Sequence, residues 1–139
     1  MKRIVKIFAV IAVLGISFSS CKKYEEGPGL SFRSKKARVE GEWTLSTVSE
    51  NGVDQPQSSD DLDDIYKFTK DGKMEFQDPG NATISGTWKF DSKKEKVTLS
   101  FSFSGQAFTQ VTTILKLKNN ELKWEYTDGT DKYIETYTK

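Results

Sequence analysis

Short segments of alternating apolar and polar residues fill most of the chain after Gly41. In the clearest of them, residues 96–104, valine, leucine and phenylalanine alternate with threonine and serine. A period of two gives a β-strand one dry face and one wet face. Signals such as Asp71-Gly72 and Asn119-Asn120 mark turns between segments. The pattern predicts eight strands, at residues 42–49, 65–69, 73–77, 83–90, 96–104, 108–118, 121–127 and 132–138.

The connections between most of these strands are short, so sequential strands should pair as antiparallel neighbours. A meander of strands loses its two exposed edges only when it closes on itself. We therefore predict an all-β fold, an eight-stranded antiparallel up-and-down β-barrel over residues 39–139. A barrel of this size is just wide enough for its own side chains or for one small ligand. A two-sheet sandwich is the alternative, although it needs longer crossovers than these turns supply.

The first twenty residues have the features of a signal peptide. Lys2, Arg3 and Lys6 precede an apolar run at residues 7–16, which is followed by small residues and Cys21, the single cysteine. The run is too short to cross a bilayer, which takes about 20 residues. The segment ending in Cys21 resembles the lipobox of bacterial lipoproteins. The alternative is an ordinary secretory signal with a chance cysteine at the cleavage site.

The lipobox resemblance divides the chain into a signal peptide at 1–20, a lipidated tether at 21–38 and a barrel at 39–139. It implies that Cys21 carries acyl chains that anchor the protein to a membrane. The charged segment 22–26 resembles the surface-export signal of Bacteroidota lipoproteins. We expect a monomer anchored in the outer membrane, and this segment favours the cell surface over the periplasmic leaflet.

Composition excludes several classes of function. The chain has no histidine, so a Ser-His-Asp triad and a His-ligated zinc site are impossible. Its 21 basic and 20 acidic residues are interspersed and predict no nucleic-acid partner. The aspartates of residues 60–64 lack the spacing of a calcium loop, and we interpret them as part of a solvated loop. We expect a non-enzymatic protein with no cofactor and no metal site.

The sequence Gly41-Glu42-Trp43 resembles the Gly-x-Trp signature of the lipocalins. The region from residue 31 onward looks like the small lipocalin-like lipoproteins of Bacteroidota. The resemblance implies that Gly41 and Trp43 form a structural plug at the closed end, with Arg33 or Arg38 as the covering cation. It also implies that a ligand enters at the opposite end, beneath the loop at 52–64.

The function depends on whether the barrel interior is open or filled by side chains. We predict that the interior is lined by aromatic rings, by polar groups that share faces with apolar residues, and by a glycine that leaves room for a ligand or a neighbouring ring. These candidate ligand-binding residues are Tyr66, Phe68, Phe76, Gly86, Trp88, Phe101, Thr113, Trp124 and Tyr126. An open interior indicates binding of a small apolar or amphipathic ligand. A filled interior indicates an interaction protein, either an accessory subunit of an outer-membrane assembly or a periplasmic protease inhibitor.

Overall fold

The computed structural model describes residues 32–57, 63–78 and 80–139. The predicted signal peptide, Cys21, most of the tether and the aspartates at 60 and 61 lie outside these residues. The described part contains one short helix and nine strands: α1 Lys35–Val39, β1 Gly41–Glu50, β2 Val53–Gln55, β3 Ile65–Phe68, β4 Lys73–Gln77, β5 Ile84–Phe90, β6 Lys96–Phe103, β7 Gln106–Leu117, β8 Glu121–Asp128 and β9 Asp131–Thr138. No helix in these ranges is long and apolar enough to span a bilayer.

Eight of the strands form a closed antiparallel barrel, as predicted. Each strand from β3 to β8 pairs with the next, and β1 joins β3 on one side and β9 on the other. The remaining strand, β2, is a hairpin partner of the end of β1 that the sequence analysis missed. Asn51 and Gly52 form its turn, with φ of 52° and 83°. Asn-Gly is the usual pair for a two-residue hairpin with positive φ, so the signal was present in the sequence.

Two β-bulges change which residues face the barrel interior. In β1 the register shifts between Leu45 and Thr47, and in β7 it shifts between Ile114 and Lys116. A bulge inserts one unpaired residue, so the alternation of faces reverses beyond it. The predicted interior position of Thr113 assumed regular alternation along β7, and the bulge makes this assignment wrong.

The end of the barrel at Trp43 is sealed. Trp43 is fully buried, and its Nε1 donates a hydrogen bond to the Val39 carbonyl of α1 at 2.7 Å. Lys139 Nζ lies 4.4 Å from the centre of the Trp43 ring and also donates to the carbonyls of Arg38 and Glu40. This geometry fits a cation–π contact.

The sequence analysis expected the cation over Trp43 to come from the N-terminal side, and this was wrong. Arg38 is buried and donates instead to the Leu117 carbonyl at 2.7 Å. Gly41 has a φ of 118°, and a Cβ built there would lie 3.2 Å from the Nζ of Lys139. The glycine of the Gly-x-Trp signature therefore permits both the backbone turn and the path of the lysine.

Candidate functional site

Aromatic side chains fill the barrel interior from the Trp43 end to about mid-height. The Tyr66 ring of β3 lies 5.7 Å from Trp124 and 5.6 Å from Tyr137, which belong to strands that do not pair with β3. Phe68 contacts Trp88 at 5.6 Å and Trp124 at 6.2 Å, mostly edge to face. Edge-to-face rings at these distances attract each other. This half of the barrel is thus occupied by the protein's own rings.

Most of the predicted interior residues are inside the barrel. Phe68, Trp88 and Trp124 belong to the buried core. The others that are partly buried and pack against this core are Tyr66, Phe76, Phe101 and Tyr126. The structure brings all seven together, but mainly as packing partners for one another. Two residues of the predicted set, Thr113 and Gly86, are placed differently.

Thr113 lies on the outer face of the barrel, not inside it. It is paired with Lys96 on one side and Glu125 on the other, whereas its neighbour Thr112 is fully buried opposite Val97. The Thr112 hydroxyl donates to the Val97 carbonyl at 3.2 Å. The bulge in β7 explains the error, because it reverses the alternation between residues 113 and 117.

Gly86 does not open space for a ligand. A Cβ built on Gly86 would lie 2.3 Å from the Ser100 carbonyl oxygen and 2.8 Å from Cβ of Phe101. A glycine is required here because the backbone of β6 approaches β5 closely where Gly86 pairs with Phe101. The space beside Gly86 was predicted to hold either a ligand or a neighbouring ring. In the structure it is taken up by the Ser100 carbonyl and by Phe101.

A cleft opens at the other end of the barrel, where β7 and β8 separate. β7 is paired with β6 from Gln106 to Thr113, but with β8 only from Thr113 to Leu117. The cleft between the parted strands has a volume of about 740 Å³. Its walls include Phe101, Phe108, Gln110 and Tyr126.

The cleft carries exposed apolar surface. Phe101 and Phe108 stack at 5.7 Å with a 20° angle between their planes, and Phe108 remains 42% exposed. Phe103 and Val111, on the same hairpin, are 53% and 50% exposed. Neighbouring exposed apolar side chains on a small domain commonly mark a binding surface. Three residues of the predicted set line this cleft: Phe101, Tyr126 and the outward-facing Thr113.

Glu135 is a polar centre of the barrel interior that was not among the predicted site residues, and one of its partners, Tyr126, lines the cleft. Its Oε2 accepts hydrogen bonds from Trp124 Nε1 at 2.8 Å and from the Tyr137 hydroxyl at 2.7 Å. Its Oε1 accepts one from the Tyr126 hydroxyl at 2.8 Å. A usable signal existed, because residues 133, 135 and 137 alternate along β9 and an inward Tyr137 also turns Glu135 inward.

The tyrosines around Glu135 are held as neutral phenols. Burial raises the pKa of Tyr66, Tyr126 and Tyr137, and the negative charge of Glu135 raises each of them further. Near neutral pH these hydroxyls therefore act as hydrogen-bond donors. No group of three or more metal-ligating side chains occurs within residues 32–57, 63–78 and 80–139.

Comparisons with known proteins agree with this architecture. A sequence model described as a lipocalin-like domain matches residues 39–124. Among solved structures, a lipocalin-like protein from Bacteroides uniformis superposes with a TM-score of 0.52 and 17% sequence identity. The superposition covers 73% of this chain and 98% of the other, and at this identity it shows the fold alone. A search of curated proteins finds no significant match.

Proposed function

We propose that this chain, which belongs to the lipocalin-like domain family, is a non-catalytic protein that binds a small apolar or amphipathic ligand at the mouth of its barrel. The observation that carries the proposal is the cleft of about 740 Å³ where β7 and β8 part. Pockets for small ligands are usually concave and largely apolar, with a few polar groups that fix orientation. The phenylalanine stack, Gln110 and Tyr126 supply both kinds of surface here.

The packed half of the barrel sets how deep a ligand reaches. Trp124 and Phe68 are almost fully buried by neighbouring rings, so they form a floor between the cleft and the Trp43 end. The ligand is therefore held at the rim and upper interior, with part of it exposed to solvent. This arrangement suits an amphipathic molecule whose polar part stays in water.

Replacing Phe108 with serine is expected to weaken binding of a neutral, environment-sensitive dye such as N-phenyl-1-naphthylamine. Burial of a phenylalanine ring is worth about 1.5–3 kcal/mol, and each 1.4 kcal/mol is a tenfold change in affinity. Since Phe108 is already partly covered, we expect the dissociation constant to rise about tenfold. Fluorescence titration measures it.

The matched control is Val53→Ser, which removes another exposed apolar side chain from β2, outside the cleft. It should leave the dissociation constant unchanged. If both variants lost the same amount of affinity for the dye, the dye would be binding to exposed apolar side chains in general. If the wild-type protein did not bind the dye, ligand binding at the cleft would be contradicted.

A second function is favoured by the filled interior and by the protruding β6–β7 hairpin. Phe103, Phe108 and Val111 are exposed there, and a partner protein could cover them. In this case the barrel is an interaction module, an accessory subunit of an outer-membrane assembly or a periplasmic protease inhibitor. A wild-type protein that excludes the dye and co-purifies with a partner, with the partner lost in Phe103→Ser, would select this function.

We further propose that the protein is a lipid-anchored monomer of the outer membrane, displayed at the cell surface. Support comes from the small residues before the single cysteine and from the charged segment after it. Cys21→Ala is expected to abolish lipid attachment and to yield soluble protein or uncleaved precursor in membrane fractionation. The control Ser20→Ala keeps a small residue before the cleavage site and should still be processed. A processed, membrane-bound Cys21→Ala protein would rule out the anchor.

A further inference from the structure

We propose that the ligand of the mouth cleft carries a cationic group and that the Glu135 carboxylate is its receptor. The inference rests on the proposed function and adds the chemical class of the ligand: an organic ammonium with an apolar portion. Three observations support it, namely the hydrogen-bonding of the carboxylate, its lack of a positive partner within the described residues, and the aromatic surface that connects it to the cleft.

The hydrogen bonds fix the carboxylate in place without neutralising it. Among the described residues, Trp124 and Tyr137 donate to Oε2, and Tyr126 is the one donor to Oε1. A carboxylate oxygen accepts about two hydrogen bonds, so Oε2 has its full set and Oε1 retains one acceptor position. All three donors are neutral groups, so they supply hydrogen bonds to the carboxylate and no opposite charge.

Within residues 32–57, 63–78 and 80–139, no lysine or arginine forms an ion pair with Glu135. The carboxylate is partly buried among rings of the core. Taking a charge out of water is costly unless an opposite charge or hydrogen bonds compensate. A ligand that supplies the missing positive charge gains an interaction that neither water nor the protein's own cations provide at this position.

Aromatic rings lead from Glu135 to the cleft. Tyr126 belongs to both, since its hydroxyl contacts Glu135 and its side chain lines the cleft. Its ring stacks on Tyr133 at 5.3 Å, and Tyr133 is the register partner of Glu50 on β1. Ring faces attract cations, especially ammonium groups with bound alkyl substituents. The cleft lining itself carries both signs of charge, with Lys96 and Lys132 beside Glu125 and Asp128, and Lys132 is paired with Glu125. The preference for a positive group therefore rests on the aromatic path and on Glu135.

The apolar portion of the same ligand has a place across the cleft, on the stacked rings of Phe101 and Phe108. A cation directed at Glu135 and an alkyl or aryl group on this stack together describe one amphipathic ammonium ligand. A neutral alcohol of the same length can occupy the stack only. An alkyl sulfate can place its tail on the same stack, but its negative charge would then lie near the negative Glu135 carboxylate.

The test measures three probes that share one tail: octyltrimethylammonium, octanol and octyl sulfate, each titrated below its micelle concentration by displacement of the neutral dye. We expect the wild-type protein to bind the ammonium most tightly and the sulfate most weakly. In Glu135→Gln the dissociation constant of the ammonium should rise about tenfold, while that of octanol changes little. Glu42→Gln removes the same charge from the outer face at the Trp43 end, where Glu42 is paired with Lys67, and should change none of the three.

A second variant protects the test against misfolding of Glu135→Gln. Tyr126→Phe keeps the carboxylate and removes the donor to Oε1 that the described residues supply, so preference for the ammonium over octanol should increase. Wild-type protein that binds the three probes equally, or a preference that Tyr126→Phe leaves unchanged or lowers, overturns the inference while the proposed function stands. Failure of the wild-type protein to bind dye or any probe overturns the proposed function itself.

Discussion

Trp43→Ala is expected to lower the free energy of unfolding by about 3–5 kcal/mol, the usual cost of truncating a buried aromatic residue. Trp43 is fully buried, bonds to the Val39 carbonyl and lies beneath Lys139. Its removal opens a cavity at the closed end and leaves two neighbours without their partner. A small domain is stable by about 5–15 kcal/mol in total, so the midpoint of urea denaturation should fall sharply.

Trp43→Phe serves as the matched control because it keeps an aromatic ring and removes the hydrogen bond to Val39. Its loss of stability should be clearly smaller than that of Trp43→Ala. Ligand binding at the distant cleft should be unchanged wherever the variants are folded. A Trp43→Ala protein that unfolds like the wild type would refute the role of this residue as a structural plug.

Gly86→Ala is expected to destabilise the barrel although it adds a single methyl group. The new Cβ would be 2.3 Å from a backbone oxygen of β6, a contact that cannot be relieved by turning a side chain. The strands must move apart, and overpacking of this kind costs about 1–3 kcal/mol. Thermal or urea unfolding measures the loss.

Ser85→Ala is the control for Gly86→Ala, because it changes the adjacent residue on the exposed side of the same strand. It should alter stability by no more than about 0.5 kcal/mol, as is usual for surface positions. If Gly86→Ala were as stable as the wild type, or bound less ligand without losing stability, Gly86 would belong to an open pocket and not to a close contact between strands.

The sequence alone was sufficient for the architecture of the barrel. Alternation with a period of two, interrupted by turn residues, located the eight barrel strands, and short connections required them to be antiparallel neighbours. Closure followed from the need to remove two edge strands. The burial of Trp43 also followed, since it begins the first strand in the setting that resembles the lipocalin signature. These properties depend on local patterns, which a sequence displays directly.

The tertiary structure decided which residues meet. A bulge depends on how two strands fit together, so alternation alone placed Thr113 inside the barrel when it is outside. Gly86 is required because a carbonyl of the neighbouring strand lies where its Cβ would be. The Trp43 plug is completed by Lys139, which lies far away in the sequence.

Glu135 shows the same distinction at the candidate site. In the sequence it is one acidic residue among 20. In the barrel it collects hydrogen bonds from Trp124, Tyr126 and Tyr137, and two of these residues come from the neighbouring strand. Periodicity reports the face of each residue within one strand, but curvature and register of the closed sheet determine which side chains converge. For that reason the fold could be deduced from the sequence, whereas the mouth cleft and the convergence of side chains on Glu135 became visible only in three dimensions.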